Sequence, residues 1–317
     1  MRSMAVAAAF VLLQGLASAR AQSYEPPRTA DGHPDLHGVW GTGFFTGLER
    51  PDGVKDLVVS SESAKKLAAE ALGHVPQVVD PDANFIQHFQ LAVVKGEART
   101  SLLVIPADGK LPLTDAAKKT AKAVAEQTEY SFDNPEERDS WERCLIGGGQ
   151  APTRPQHGFV PMQIVQTRDA IVMMTEDVGG LRVIHMTGAP PPDALRSLEG
   201  YSAGRWEGDT LVVETTHLRP DDPFRWTVDA IVMVGPNSRV IERFTRVSDT
   251  ELVEQFTVED PGLYTTPWLA EFSMTRTDKP AYEYACHESN YALTNILVAA
   301  RLGRQPRAAA AKGEVKR

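Results

Sequence analysis

Two periodicities divide the chain. Between about residues 61 and 145 apolar residues recur at helical spacing. "SESAKKLAAEALG" (61–73) and "TDAAKKTAKAVAEQ" (114–127) are helix formers; Gly73 ends the first and Thr114 is placed to cap the second. "NPEERDSWERC" offers Asn134 as a cap, Pro135 at the first helical position and acidic residues in the first turn, which predicts a third helix bearing Cys144 near its end. From about residue 161 the period shortens to two. "MQIVQT", "AIVMMTE", "LRVIHM", "DTLVVETTHL", "AIVMVG", "RVIERFTRV", "ELVEQFTVE", "LAEFSMTR" and "AYEYACH" are short and β-branched, with turn residues such as Gly179-Gly180, Gly208-Asp209 and Ser248-Asp249 between them. Nine such segments with no helix between them predict a mainly β fold, an antiparallel meander closed as a barrel or folded as a sandwich.

The faces of the strands favour the barrel. In "RVIERFTRV", Val240, Glu242, Phe244 and Arg246 fall on one side and Ile241, Arg243, Thr245 and Val247 on the other. Charges on both sides suit a lumen that holds a few polar groups, and equally an exposed edge. Gly38-x-Trp40 resembles the opening of the first strand in lipocalins and related calycin barrels, and Gly204-Arg205-Trp206 repeats the triplet. The chain then divides into a signal peptide (1–21), an N-terminal arm and first strand (22–60), a helical insertion or cap (61–150), a β barrel (151–290), a C-terminal helix (291–303) and a disordered tail (304–317).

Export changes what the cysteines can be. Arg2, an apolar stretch from Met4 to Leu16 and "ARA" before Gln22 form the three parts of a secretory signal cut after Ala21, for periplasmic or secreted protein. In an oxidising compartment the pair Cys144 and Cys286 favours a disulfide over a reactive thiol. The formal net charge of −9 argues against nucleic acid and anionic membranes as partners and leaves a small-molecule ligand or substrate.

The segments "RTADGHPDLHGVW", "LVIPADGKLPLT", "ERCL", "QIVQT", "GRWEGDTLVVETTHL", "VIERFTRVSDTELVEQFTVEDP", "TTPWLAEFSM" and "YEYACHESNY" resemble those of a family of exported bacterial proteins. The resemblance covers most of the mature chain and brings no reaction with it. Where that family has a His-x-Arg-Ile strand start, this chain has Gly179-Gly180-Leu181-Arg182-Val183, which turns attention to His185 as a substitute.

No H-E-x-x-H, paired C-x-x-C, Walker loop, G-x-S-x-G or Rossmann fingerprint occurs, so no metal or cofactor is expected. "CLIGGGQAP" (144–152) follows a helix rather than a strand and reads as a flexible connector. The polar residues set in strand context then carry the candidate chemistry. His287 is the candidate base, Glu242 or Glu254 on a neighbouring strand its partner, and Arg143 or Arg243 an anion stabiliser. Trp206, Trp268, Tyr282, Tyr284 and His185 are candidates for gripping an apolar or aromatic ring. The functional expectation is an enzyme performing metal-independent acid–base chemistry on such a molecule, of isomerase, lyase, cyclase or hydrolase type, with a lipocalin-like carrier as the alternative.

Overall fold

Alternation of inward apolar residues curls nine strands into a closed barrel, seen in a computed structural model that describes residues 24–73, 90–145, 147, 149–153, 155, 160–221, 223–227 and 230–304. The expected signal peptide, and the tail from residue 305, lie outside the described residues. In chain order the strands are β1 (Gly38–Gly41), β2 (Val58–Val59), β3 (Ala92–Val94), β4 (Glu97–Arg99), β5 (Leu103–Ile105), β6 (Pro161–Gln166), β7 (Ala170–Thr175), β8 (Leu181–His185), β9 (Tyr201–Glu207), β10 (Thr210–Thr216), β11 (Phe224–Trp226), β12 (Ile231–Met233), β13 (Arg239–Arg246), β14 (Glu251–Glu259) and β15 (Trp268–Thr277). The helices are α1 (Ser61–Gly73), α2 (Asp115–Tyr130), the single turn α3 (Cys286–Ser289) and α4 (Tyr291–Arg304). The barrel runs β1-β6-β7-β8-β9-β10-β13-β14-β15 and closes where β15 pairs with β1, Val39 opposite Thr277. It is mixed, because β8 and β9 run parallel and residues 187–200 must return along the outside to start β9. A sandwich is ruled out by this closure.

The interior is a continuous core. Trp40, Ile164, Ile171, Ile184, Leu211, Val213, Phe244, Phe256, Trp268 and Phe272 are buried within it. Trp40 donates its ring N–H to the Leu36 carbonyl at 3.0 Å and lies between the Arg246 and Arg276 guanidiniums. The N-terminal arm closes this end. Tyr24 bonds Asp249, Arg28 pairs with Asp209, and the Gln166 side chain bonds the backbone of Pro34 and Leu36. Residues of α1 and α2 lie, with the sheet β2-β4-β3, in the insertion between β1 and β6, and Thr114 caps α2 by accepting from the Ala117 amide at 3.2 Å. β5 leaves that insertion to pair with the first half of β15.

Four local expectations are corrected. Residues 281–287 form no strand; the barrel is already closed by β15 pairing with β14 on one side and with β1 on the other, and these residues run into α3 instead. Residues 134–144 form only a 3₁₀ turn over Pro135–Glu137 followed by turns, and Cys144 has φ 57°. "AIVMVG" gives β12, which pairs with β11 outside the barrel. β9 takes the vacant barrel place, hidden in the sequence because its inward residues are Ser202, Gly204 and Trp206 rather than aliphatic ones.

The glycine-rich segment after Cys144 is packed rather than free. Gly147, Gly149, Gln150, Ala151, Pro152 and Thr153 are all buried. A Cβ on Gly147 would lie 2.6 Å from the Asp177 carboxylate and one on Gly149 2.6 Å from the Thr175 hydroxyl, so glycine lets this segment press onto the end of β7 and the β7–β8 turn. Cys144 is disulfide-bonded to Cys286, 142 residues away, which ties this segment to α3 and contributes about 5 kcal/mol by chain-entropy reasoning.

Candidate functional site

Away from Arg246 and Gln166 at the arm end, the inward face of the described strands gathers a buried polar cluster among apolar residues. Strand alternation turns Arg182 of β8, Ser202 of β9, Thr215 of β10, Glu242 of β13 and Glu254 of β14 inward, all buried. Thr153 enters from the glycine-rich segment. Arg182 is the hub. Its Nη1 donates to Glu242 Oε1 at 2.9 Å and its Nη2 to Glu242 Oε2, a bidentate pair. Its Nε donates to Ser202 Oγ at 3.0 Å and Nη2 also to Thr215 Oγ1 at 3.1 Å. Ser202 and Thr215 stand opposite each other in the register and share a hydrogen bond of 2.8 Å. Thr153 donates both its amide, at 2.9 Å, and its hydroxyl, at 3.1 Å, to Glu242 Oε1.

Glu254 sits at the edge of this network, next to Glu242 and Thr153. In the β13–β14 register Glu242 faces Phe256 and Phe244 faces Glu254, so the two carboxyls are diagonal neighbours on the lumen side, roughly 7 to 8 Å apart at the backbone. Glu254 is fully buried; no donor among the described residues is in hydrogen-bond geometry with its oxygens, and its carboxyl lies within side-chain hydrogen-bonding reach of Glu242, to which its protonated form can donate, and of Thr153. Phe244 and Phe272 are its cross-strand neighbours. Burial, and then the negative charge of Glu242, push its carboxyl well above the ordinary carboxylate range, and the more distant Arg182 counters this only in part. Burial acts the same way on Glu242, but the Arg182 charge and the Arg182 and Thr153 hydrogen bonds outweigh it and hold that carboxyl below its usual value. The two carboxyls are thus pushed in opposite directions, Glu242 toward its ionised form and Glu254 toward its protonated one, an arrangement that can hold and deliver a proton in apolar surroundings.

The other expected site residues fall elsewhere. Arg243 points outward from β13, opposite in sense to Glu242, and pairs with Glu207 at 2.9 Å. His287 is exposed on α3, and Arg143 is half-buried beside the 3₁₀ turn; neither is joined to the lumen cluster by a hydrogen bond or ion pair among the described residues. Tyr282 and Tyr284 are exposed, 65% and 44%. His185 lies on the outer face of β8, stacked on Tyr201 at 4.7 Å. Trp268 is a core residue packed edge-on against Phe256 and Tyr264. Trp206 turns toward the lumen at the arm end, where His33 stacks on it at 4.9 Å. Of the expected acid–base group, therefore, the fold brings together Glu242 and Glu254. Arg182, Thr153, Ser202 and Thr215 complete the cluster, and the one signal for Arg182 was a guanidinium sharing a strand face with Ile184.

Comparison of the chain with family models, curated proteins and solved structures finds no match. Among the described residues no three His, Cys, Asp or Glu side chains are placed to hold a metal ion, and no helix is long and apolar enough to cross a membrane.

The pair and the lone acid give separate stability signatures. Arg182→Met leaves Glu242 buried without its cation and is expected to cost about 3 to 5 kcal/mol in urea unfolding, whereas Arg182→Met with Glu242→Leu costs less than Arg182→Met alone. A double variant as unstable as the sum of its singles would show that the two side chains do not act as a pair. For Glu254 the folded pKa lies above the unfolded one, so the folded state binds the extra proton. Its contribution is full below the ordinary glutamate range and is lost as pH rises from there through the raised folded value. Glu254→Gln should therefore flatten the decline of stability as pH rises above the ordinary glutamate range; an unchanged slope would place the titration elsewhere.

Proposed function

We propose that this is an exported barrel that takes a small, largely apolar or aromatic organic molecule into its lumen and acts on it by acid–base chemistry through Glu254. The observation that carries this reading is a carboxyl that is fully buried in an apolar part of the core, raised in pKa, and in polar contact only with Glu242 and Thr153. Such a group is costly to a purely structural core, and it suits a reaction that needs a proton donor away from water.

Glu254 is the acid in this scheme. It donates to an oxygen or an unsaturated carbon of a neutral substrate, and the carboxylate left behind, beside the charge of Glu242, is a strong base that recovers a proton from the substrate. Arg182 and Thr153 serve as positioning residues; they keep Glu242 ionised and aimed, and thereby keep the Glu254 proton in place. That balance fits proton-transfer reactions of the isomerase, lyase or cyclase kind, and hydrolysis where water is admitted. The disulfide and the secretory start of the chain support function in an oxidising, extracytoplasmic compartment.

The apolar wall of Leu211, Val213, Phe244, Phe256, Phe272 and Met274 favours a second reading, a carrier that holds such a molecule unchanged. The two separate in one experiment. Wild-type protein and Glu254→Gln are incubated with a small-molecule extract of the native producer, and both the bound and the free fractions are followed by mass spectrometry. Catalysis predicts a compound consumed and a product formed by the wild type only, with the compound retained by Glu254→Gln. Equal, unchanged retention by both proteins would establish the carrier, and retention by neither would overturn both readings.

A further inference from the structure

We propose that a second site, independent of the lumen, lies in the groove between the Cys144–Cys286 disulfide and α4, and that it binds a small organic cation with an apolar body. The groove measures about 480 Å³, inside the range of small-molecule sites. Trp141, Tyr284, Leu293 and Ile296 supply its apolar lining, Glu142 and Glu283 its charge, and no Lys, Arg or His lines it. It is assembled from Trp141 and Glu142 on one side and from residues between 283 and 296 on the other, which the lumen chemistry leaves unused.

The groove is rigidly built. The disulfide joins its two walls. Asn290 donates to the Glu142 carbonyl at 2.7 Å while its side-chain oxygen accepts from the Leu293 amide at 3.1 Å, so α4 starts from the wall it faces. Trp141 is fixed by a hydrogen bond from its ring N–H to Asp177 at 2.8 Å, yet the side chain remains 47% exposed. Preorganised aromatic rings of this kind contribute affinity at little entropic cost.

Charge selects the ligand. Arg138 binds Glu142 Oε1 at 2.9 Å, but Oε2 is buried with no hydrogen-bond partner among the described residues. A buried carboxylate oxygen left unpaired is costly, and an ammonium group that reaches it removes that cost. Glu283 adds a second negative charge, and the Trp141 and Tyr284 rings can receive the cation on their faces. A neutral hydroxyl could give that oxygen only an uncharged, weaker hydrogen bond, and an anion would meet two carboxylates.

The test uses the full, disulfide-bonded chain and three probes of similar shape: benzylammonium, benzyl alcohol and benzoate. Titration calorimetry should give saturable binding of benzylammonium at least about tenfold tighter than of the other two. Glu283→Gln and Tyr284→Leu, exposed positions expected to leave the melting temperature unchanged, should each weaken benzylammonium by about threefold or more. Glu254→Gln should leave it unaltered, which separates this site from the lumen. Benzyl alcohol or benzoate binding as tightly, no saturable benzylammonium binding, sensitivity to Glu254→Gln instead, or indifference to both groove variants would each overturn the proposal.

Discussion

The interior of this barrel is organised by the ion pair between Arg182 and Glu242. Two full charges out of water are expensive, and they persist here because every remaining donor of the guanidinium, and the Glu242 oxygen nearest the glycine-rich segment, has a partner: Ser202, Thr215 and Thr153. Those partners come from β8, β9, β10, β13 and the segment after Cys144. The pair thus ties the only parallel contact among the paired barrel strands, β8–β9, to the far wall of the lumen. It also decides the state of Glu254, whose proton is held by burial and by the charge that Arg182 keeps on its neighbour.

The packing around the pair follows from the same constraint. Gly147 and Gly149, just ahead of Thr153, pack on Asp177, Val178 and Thr175 more closely than side chains would permit. The disulfide holds the start of that segment against α3. Seen from the lumen, the glycines and the cystine serve a single hydrogen-bonding residue at the end of the chain segment they position.

Much of the barrel was legible in the sequence. Alternation in "RVIERFTRV" and "ELVEQFTVE" separates Glu242 from Arg243 and sets Glu254 on a buried face, and Gly38-x-Trp40 marks the strand that closes the sheet. Legibility failed where the physical determinant is non-local. "AYEYACH" has a strand's composition but no place in the barrel, which β15 and β1 already close. β9 has an edge to join but no aliphatic pattern, because its inward positions are a serine in the polar cluster, a glycine against Ile184 and Met186, and a tryptophan under His33. His287 lost its place beside the carboxylates with the strand that was to carry it. Arg182 went unweighed because neither face of "LRVIHM" reads as polar; only its partners, sixty residues away at Glu242, explain it.

The account rests on Glu254 keeping its proton while Glu242 does not, and infrared difference spectroscopy reads this directly. The spectrum of wild-type protein minus that of Glu254→Gln at pH 7 should contain the carbonyl stretch of a protonated carboxylic acid, and raising the pH should convert it to carboxylate bands. A difference spectrum showing only carboxylate bands from pH 5 upward would contradict the account.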